Sequence, residues 1–243
     1  MAPNTPNFDY DGASVPELHE LLGHDDPLVQ SDAACALGDR LRTGELDTLD
    51  PPVIETLRKL IGFPSFIVQF EAAITLAELQ DPTATELLLH AIESRRFRLD
   101  AIRALGTLGS PRAIEPLSAM LGRFLLPWAD KLQAAAALCA LSDPAGRNYL
   151  VERLTSRRLP ERASAIHFLG ESKHPDALLH LEGILDNPED PMRDVAARTL
   201  TLLPKELALP ILERNLVHAT GELLEELTQC AESMRNSSNG VKI

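Results

Sequence analysis

From Arg96 to Gly122 the chain reads RFRLDAIRALGTLGSPRAIEPLSAMLG. Phe97, Ala101, Ala104, Leu105 and Leu108 fall at i, i+4, i+7, i+8 and i+11, the spacing of one buried helical face. Gly109-Ser110-Pro111 then stops that helix and opens another. Gly tolerates a left-handed exit, Ser is a capping residue, and Pro suits the first helical position. Ile114, Leu117, Met120 and Leu121 give the second helix its own apolar stripe.

Taking Ala101 and Leu105 as a reference pair, small then large one turn apart, the same pairing occurs at Ala33/Leu37, Ala72/Leu76, Ala134/Leu138, Ala165/Leu169 and Ala196/Leu200. The intervals are 39, 29, 33, 31 and 31 residues, and a proline lies ten residues after the alanine at Pro82, Pro111, Pro144 and Pro175. A period near 30 with two helices per unit predicts a stacked α-solenoid, because one unit cannot bury its stripe without a neighbour. The expected fold is all-α: a right-handed superhelix of about six helical pairs over residues 14–235 with capping helices. Residues 1–13 are expected as a flexible arm and 236–243 as a flexible tail. The helix opened by Asp26-Pro27 is expected to end near Gly38, with LRTGELDTLD as an extended connector.

The net charge of −13 changes this picture because it is uneven. Lys+Arg against Asp+Glu number 4 and 16 over residues 1–90, 15 and 14 over 91–203, and 4 and 6 over 204–243. An acidic chain is a poor general binder of nucleic acid. Aromatic residues make up only 4%, so Leu and Ala carry the packing. Cys35, Cys139 and Cys230 lie far apart, each within an apolar helical run, and read as reduced core thiols. The first residues have neither the basic region nor the apolar run of a secretory signal. The longest apolar run, Leu132–Leu141, is about half the length that crosses a bilayer. A cytoplasmic protein with no membrane insertion is expected.

The run LDAIRALGTLGSPRAIEPLSAML, with DAACALG, EAAITLAELQDP and SAIHFLGESKHP as partial copies, resembles the short bacterial HEAT-like repeats also found in bilin lyases. The resemblance spans roughly residues 14–216 and implies the solenoid fold. It does not imply one function, since such repeats serve scaffolds, lyases, hydroxylases and DNA glycosylases. An Arg three residues before the alanine is common in that pattern. Gln30, Gln69, Arg98, Lys131, Arg162 and Arg193 stand there, a ladder neutral in two units and cationic in four. Such a ladder either bonds a neighbouring unit and holds the stack in register or lines a groove for an acidic partner. Arg95-Arg96 and Arg157-Arg158 occupy similar turns, and Phe124–Trp128 is an apolar turn among polar ones.

Catalytic constellations are weak. A di-iron hydroxylase of this repeat class needs several His-Glu pairs, and His19-Glu20 is the one present. At Phe70-Glu71-Ala72-Ala73 the frame is similar, but Phe stands where His is required. His19 and His24 miss zinc-protease spacing by one residue. Trp128 with Asp130 and Lys131 only faintly resembles a glycosylase site. His90 and His167 read as helix-surface or partly buried residues. The sequence therefore points to a non-catalytic protein-binding scaffold or adaptor without a cofactor. Arg95, Arg96, Arg98, Trp128, Lys131, Arg157, Arg158, Arg162 and Arg193 are its candidate contacts to a partner with an acidic or extended segment. A bilin lyase-like chromophore chaperone, whose Arg pairs would meet propionates, is the alternative.

Overall fold

The computed structural model describes residues 8–236. It holds fourteen α-helices and, among the described residues, no strand. They are α1 (Val15–Leu22), α2 (Pro27–Thr43), α3 (Pro51–Leu60), α4 (Phe66–Glu78), α5 (Thr85–Ala91), α6 (Arg98–Leu108) and α7 (Ile114–Gly122). There follow α8 (Trp128–Ala140), α9 (Pro144–Arg153), α10 (Leu159–Glu171), α11 (Pro175–Asp186), α12 (Arg193–Leu200), α13 (Lys205–Leu216) and α14 (Glu222–Asn236). Short 3-10 turns, Pro82–Ala84 and Pro111–Ala113, lead into α5 and α7. No described helix is long and apolar enough to cross a membrane.

The chain divides into two compact units: residues 1–124 with 140–142, and residues 125–139 with 143–243. In the first, α2 packs on α4 and α4 on α6, while α1 meets α3. In the second, α10 packs on α12 and α12 on α14, while α11 meets α13. Within each unit these second helices touch their counterparts in the adjoining repeat, the nearest-neighbour stacking that the period predicts. All twelve residues of the six Ala/Leu reference pairs are 0% exposed.

The pattern also shows how the helices meet. Gly38 lies five residues after Ala33, and a methyl group there would stand 2.8 Å from Thr75 Oγ1. Gly170, five residues after Ala165, is crowded in the same way by Thr199. Thr75 and Thr199 each lie three residues after their own reference alanine. One joint thus occurs in both units, a bare backbone on one second helix receiving a threonine from the next. In the first unit the Thr75 hydroxyl also reaches across to donate to the Ala34 carbonyl at 2.7 Å.

Helix ends follow local chemistry. Asp26, Asp81 and Asp143 accept from the backbone N–H two residues on, with Pro at the first helical position behind each. Gly109 takes the left-handed exit at φ +72°, as expected, but the Ser110 side chain makes no cap bond. The expected end of α2 at Gly38 is corrected. That glycine is a packing residue, α2 runs on to Thr43, and the left-handed exit falls at Gly44 with φ +75°. The expected connector from Leu41 therefore begins as helix.

Of the expected N-terminal arm, residues 1–7 lie outside the described residues, as do 237–243 of the expected tail. Ahead of α1, the Tyr10 and Asp11 carbonyls accept from Arg40 on α2. The cysteines are free thiols, but not all are core. Cys230 is buried, Cys139 half-buried, and Cys35 exposed on α2.

Two glycine substitutions test this packing. A methyl group on Gly146 of α9 would sit 2.3 Å from the Ala135 carbonyl oxygen and 2.8 Å from the Cys139 nitrogen, both backbone atoms of α8. Gly146→Ala is expected to destabilise the fold by about 1–3 kcal/mol in urea unfolding. Gly183, exposed inside α11 with nothing within 4 Å, should instead gain roughly 0.5–1 kcal/mol as Gly183→Ala.

Candidate functional site

The ladder three residues before each alanine resolves into a single hydrogen bond made again and again. Gln30 Nε2 donates to the Leu22 carbonyl at 3.2 Å, and Gln69 Nε2 to that of Phe63 at 2.6 Å. Arg98 donates through Nε to Ile92 and through Nη2 to Glu93. Arg162 Nε reaches the Leu154 carbonyl, and Arg193 Nε that of Leu185 at 2.8 Å. Each acceptor lies at or just beyond the end of the first helix of the same hairpin, where carbonyls lack an intrahelical partner. A side chain on the second helix thus caps the first.

The expectation that the ladder bonds a neighbouring unit is corrected: the acceptor belongs to the residue's own hairpin, so the bond ties two helices of one unit together. Arg162 does both, pairing through Nη2 with Asp190 in the turn of the next hairpin. Arg193 also borders a hollow of about 410 Å³ with Asp190, Asp194, Arg198, Glu222 and Glu226, but there Arg198 is already paired with Asp194 and Glu226. Lys131 is half-buried on α8 and has no such bond among the described residues.

The remaining cationic candidates stay at the surface. Arg95 and Arg96 are exposed in the turn before α6, with Arg96 against the Phe97 ring at 5.1 Å. Arg157 and Arg158 are exposed in the turn before α10. Phe124 and Leu125 are 94% and 90% exposed, whereas Trp128 is half-buried at the start of α8. His19 Nε2 lies 3.0 Å from Thr56 Oγ1, and exposed His167 lies 3.2 Å from Glu171.

A concavity of the first unit lies elsewhere, on the second helices α2, α4 and α6. It is a pocket of about 390 Å³ lined by Cys35, Asp39, Arg42, Phe70, Glu71, Ile74, Asp100 and Arg103, with Gly38 at its wall. Its cations are already held: Arg42 by Asp39 and Arg103 by Glu78, each at 2.6 Å. Glu71 and Asp100 have no cation of their own among the described residues. Burial, then the Asp100 and Asp39 carboxylates, push the Glu71 carboxyl up to about 7; the nearby Cys35 thiol, which donates to Asp39 Oδ2 at 3.8 Å, opposes this. Desolvation and the Glu71, Asp39 and Asp32 charges push the Cys35 thiol up to about 12, so it remains a protonated donor. Phe70 fills the position where a hydroxylase would carry His; it is 2% exposed and packs at a tilt against Phe97, ring centroids 4.6 Å apart.

The pocket had a sequence signature that the cationic ladder obscured. The residue directly before the reference alanine is Asp32, Glu71 and Asp100 in the first three repeats, then Gln133, Ser164 and Val195. On a helix this position lies beside the buried stripe, and in the first unit Glu71 and Asp100 line the pocket from it. Among the described residues no cluster of His, Cys, Asp and Glu has the arrangement to hold a metal ion.

The family model for HEAT repeats matches residues 54–123 and 126–201. The chain is a HEAT-repeat protein. Among solved structures, this HEAT-repeat chain is similar to a chain of the complex of CpcE and CpcF of phycocyanin lyase from Nostoc sp. PCC7120. Identity is 16%, coverage is 96% of this chain and 97% of that one, and the TM-score is 0.53. It is also similar to human deoxyhypusine hydroxylase in complex with glycerol, at 17% identity, 92% and 96% coverage and a TM-score of 0.41. No curated protein matches it significantly in sequence. At such identities the HEAT-repeat fold is what is shared.

Two predictions follow from the side chains. Arg162→Ala should lower stability by about 1.5–3 kcal/mol in urea unfolding, because a charged donor leaves a helix-end carbonyl and Asp190 without it. Arg157→Ala should leave the midpoint unchanged. For Glu71, ionisation is disfavoured by folding, so its contribution is fully present below the unfolded value near 4.5 and lost as pH rises through about 7. Glu71→Gln should therefore raise stability at pH 8 by roughly 2 kcal/mol and have little effect at pH 5, measured by thermal unfolding.

Proposed function

We propose that this chain is a non-catalytic scaffold that receives an extended, basic segment of a partner protein across α2, α4 and α6. The reading rests on one observation: Glu71 and Asp100 share an inward pocket while both neighbouring guanidiniums are held by other carboxylates. A cation from outside would meet carboxylates that the fold leaves uncompensated. The apolar walls from Phe70 and Ile74 suit the alkyl stem of a Lys or Arg side chain.

A row of second helices offering side chains from successive repeats is the geometry by which solenoids hold extended chains. Charge agrees, since residues 1–90 carry 16 acidic against 4 basic side chains. An acidic region of the partner would meet the exposed Arg95-Arg96 turn of the first unit or, separately, Arg157-Arg158, Lys131 and Trp128 of the second.

The first solved structure above is a chain of a two-protein lyase complex, which supports a protein partner and favours one further reading, a bilin-handling lyase. In that reading the exposed Arg pairs bind propionates.

Affinity capture from the native cell separates these readings. Co-purification of a partner is expected to be lost with Glu71→Lys plus Asp100→Lys and retained with Arg95→Glu plus Arg96→Glu. The opposite pattern would make the partner acidic and move the site to the Arg turns. No specific partner with either variant or the parent chain would remove the scaffold reading. A red-shifted or intensified visible absorption on mixing the purified chain with a linear tetrapyrrole would establish the lyase reading in its place.

A further inference from the structure

Phe124 and Leu125 are the two most exposed large apolar side chains among the described residues; the others are 38–76% exposed and lie scattered. Exposed apolar residues standing singly are ordinary, but two neighbours almost wholly in water mark a surface that is covered by something else. A ring that open adds nothing to the stability of its own chain. Turns at the matching place in other hairpins are polar, as at Glu93–Arg96 and Asn187–Asp190.

The end of α7 is also held in a particular way. Arg123 donates through Nη1 and Nη2 to the two carboxylate oxygens of Glu93, at 3.2 and 2.9 Å. This forked pair fixes the Arg123-Phe124 end beside the turn that precedes α6, and it is neutral as a whole. Arg95 and Arg96 follow Glu93, both exposed and without a carboxylate partner among the described residues; Arg96 rests on the Phe97 ring. Phe124 therefore stands where the uncompensated charge is positive, on a chain whose net charge is −13.

We propose that Phe124 anchors a second docking surface, with Arg95 and Arg96 at its rim, for a folded protein that offers an apolar pocket edged by carboxylates. The surface is separate from the α2–α4–α6 groove and opposite to it in sign, so the two readings stand or fall independently. Shape and charge define the occupant. A protruding ring is enclosed only by a concavity, which an extended peptide does not possess. Aromatic and Arg side chains are the ones that anchor interfaces, and unpaired guanidiniums at a rim select carboxylates. The Glu93–Arg123 pair holds the turn before the partner arrives, which limits the ordering that binding must impose.

A bilayer is the other cover for a protruding apolar pair, and magnitude decides against it. A single myristoyl chain, with more apolar carbon than the Phe and Leu side chains together, gives only marginal membrane binding. Two cations add little to that, and the carboxylates of residues 1–90 repel an anionic leaflet.

The test places p-benzoylphenylalanine at position 124 of the full chain, irradiates the native cell and identifies the adduct by mass spectrometry. The adducted protein is then purified and titrated against the chain. Saturable binding is expected, weakened about 30-fold or more by Phe124→Ser. Arg95→Glu with Arg96→Glu should slow association about tenfold at low salt, the difference shrinking as salt is raised. Leu179→Ser, which removes an exposed leucine of α11, should change neither.

The proposal is overturned by the lack of a discrete protein adduct, or by a purified partner that binds the parent and Phe124→Ser alike. Association indifferent to both arginines would overturn it as well, because the partner would then lack the stated charge. Phe124-dependent sedimentation with vesicles of equal parts phosphatidylcholine and phosphatidylserine would put a lipid surface in the partner's place. None of these results bears on the Glu71 and Asp100 variants that test the groove.

Discussion

Second helices in this chain approach one another where a side chain is nearly absent. Gly38 receives Thr75, Gly170 receives Thr199, and the alanines five residues earlier, Ala33 and Ala165, are sealed from solvent. Interiors are packed closely enough that one added methyl must displace something. The register of neighbouring repeats is therefore fixed by small residues at fixed intervals, while leucines such as Leu37 and Leu169 fill the space beside them. Once that register is set, the positions flanking the stripe have no freedom about where they face. Asp32, Glu71 and Asp100 come to one side because Ala33, Ala72 and Ala101 go to the other.

The same constraint explains the two fates of charge. Cations at the ladder position turn back to the open carbonyls of their own hairpin, where a guanidinium satisfies a group that the helix end cannot. Carboxylates two residues later in the repeat have no proton to donate to those carbonyls, and Glu71 and Asp100 line the hollow instead. In the first two hairpins the ladder residue is Gln30 or Gln69, which performs the capping task without bringing positive charge behind the acidic surface. Two carboxylates of the acidic N-terminal third, Asp39 and Glu71, meet Asp100 in one pocket.

How much of this was readable from letters depends on what each letter must decide alone. The repeat was open to view, because Ala/Leu pairs and Asp-Pro starts each report a local requirement that recurs. Gly38 was misread because a glycine that ends a helix and one that admits a neighbour look alike; only Thr75 on the facing helix tells them apart. Cys35, in an apolar run, looked like core, yet two residues past Ala33 it turns to the groove. The ladder's identity was visible but its direction was not, since Arg three residues before an alanine reaches a carbonyl or open solvent by choice of rotamer. The pocket depended on knowing that Arg42 pairs with Asp39 and Arg103 with Glu78, pairings that no spacing rule dictates.

Because the ladder bond closes inside a hairpin, the five two-helix modules that carry it arrive with the first helix's end tied and ask of a neighbour only a matching surface. The natural breakpoints are then the junctions between modules, such as Asp81-Pro82, Ser110-Pro111 and Asp143-Pro144, not the turns within them. A chain assembled this way can be lengthened or shortened by whole hairpins without rebuilding any interior joint, and duplication of such a segment would carry its capping residue along with it. Lineages of this fold are free to vary in repeat number while the chemistry of a single concave stretch, such as that around Glu71, is kept or lost on its own.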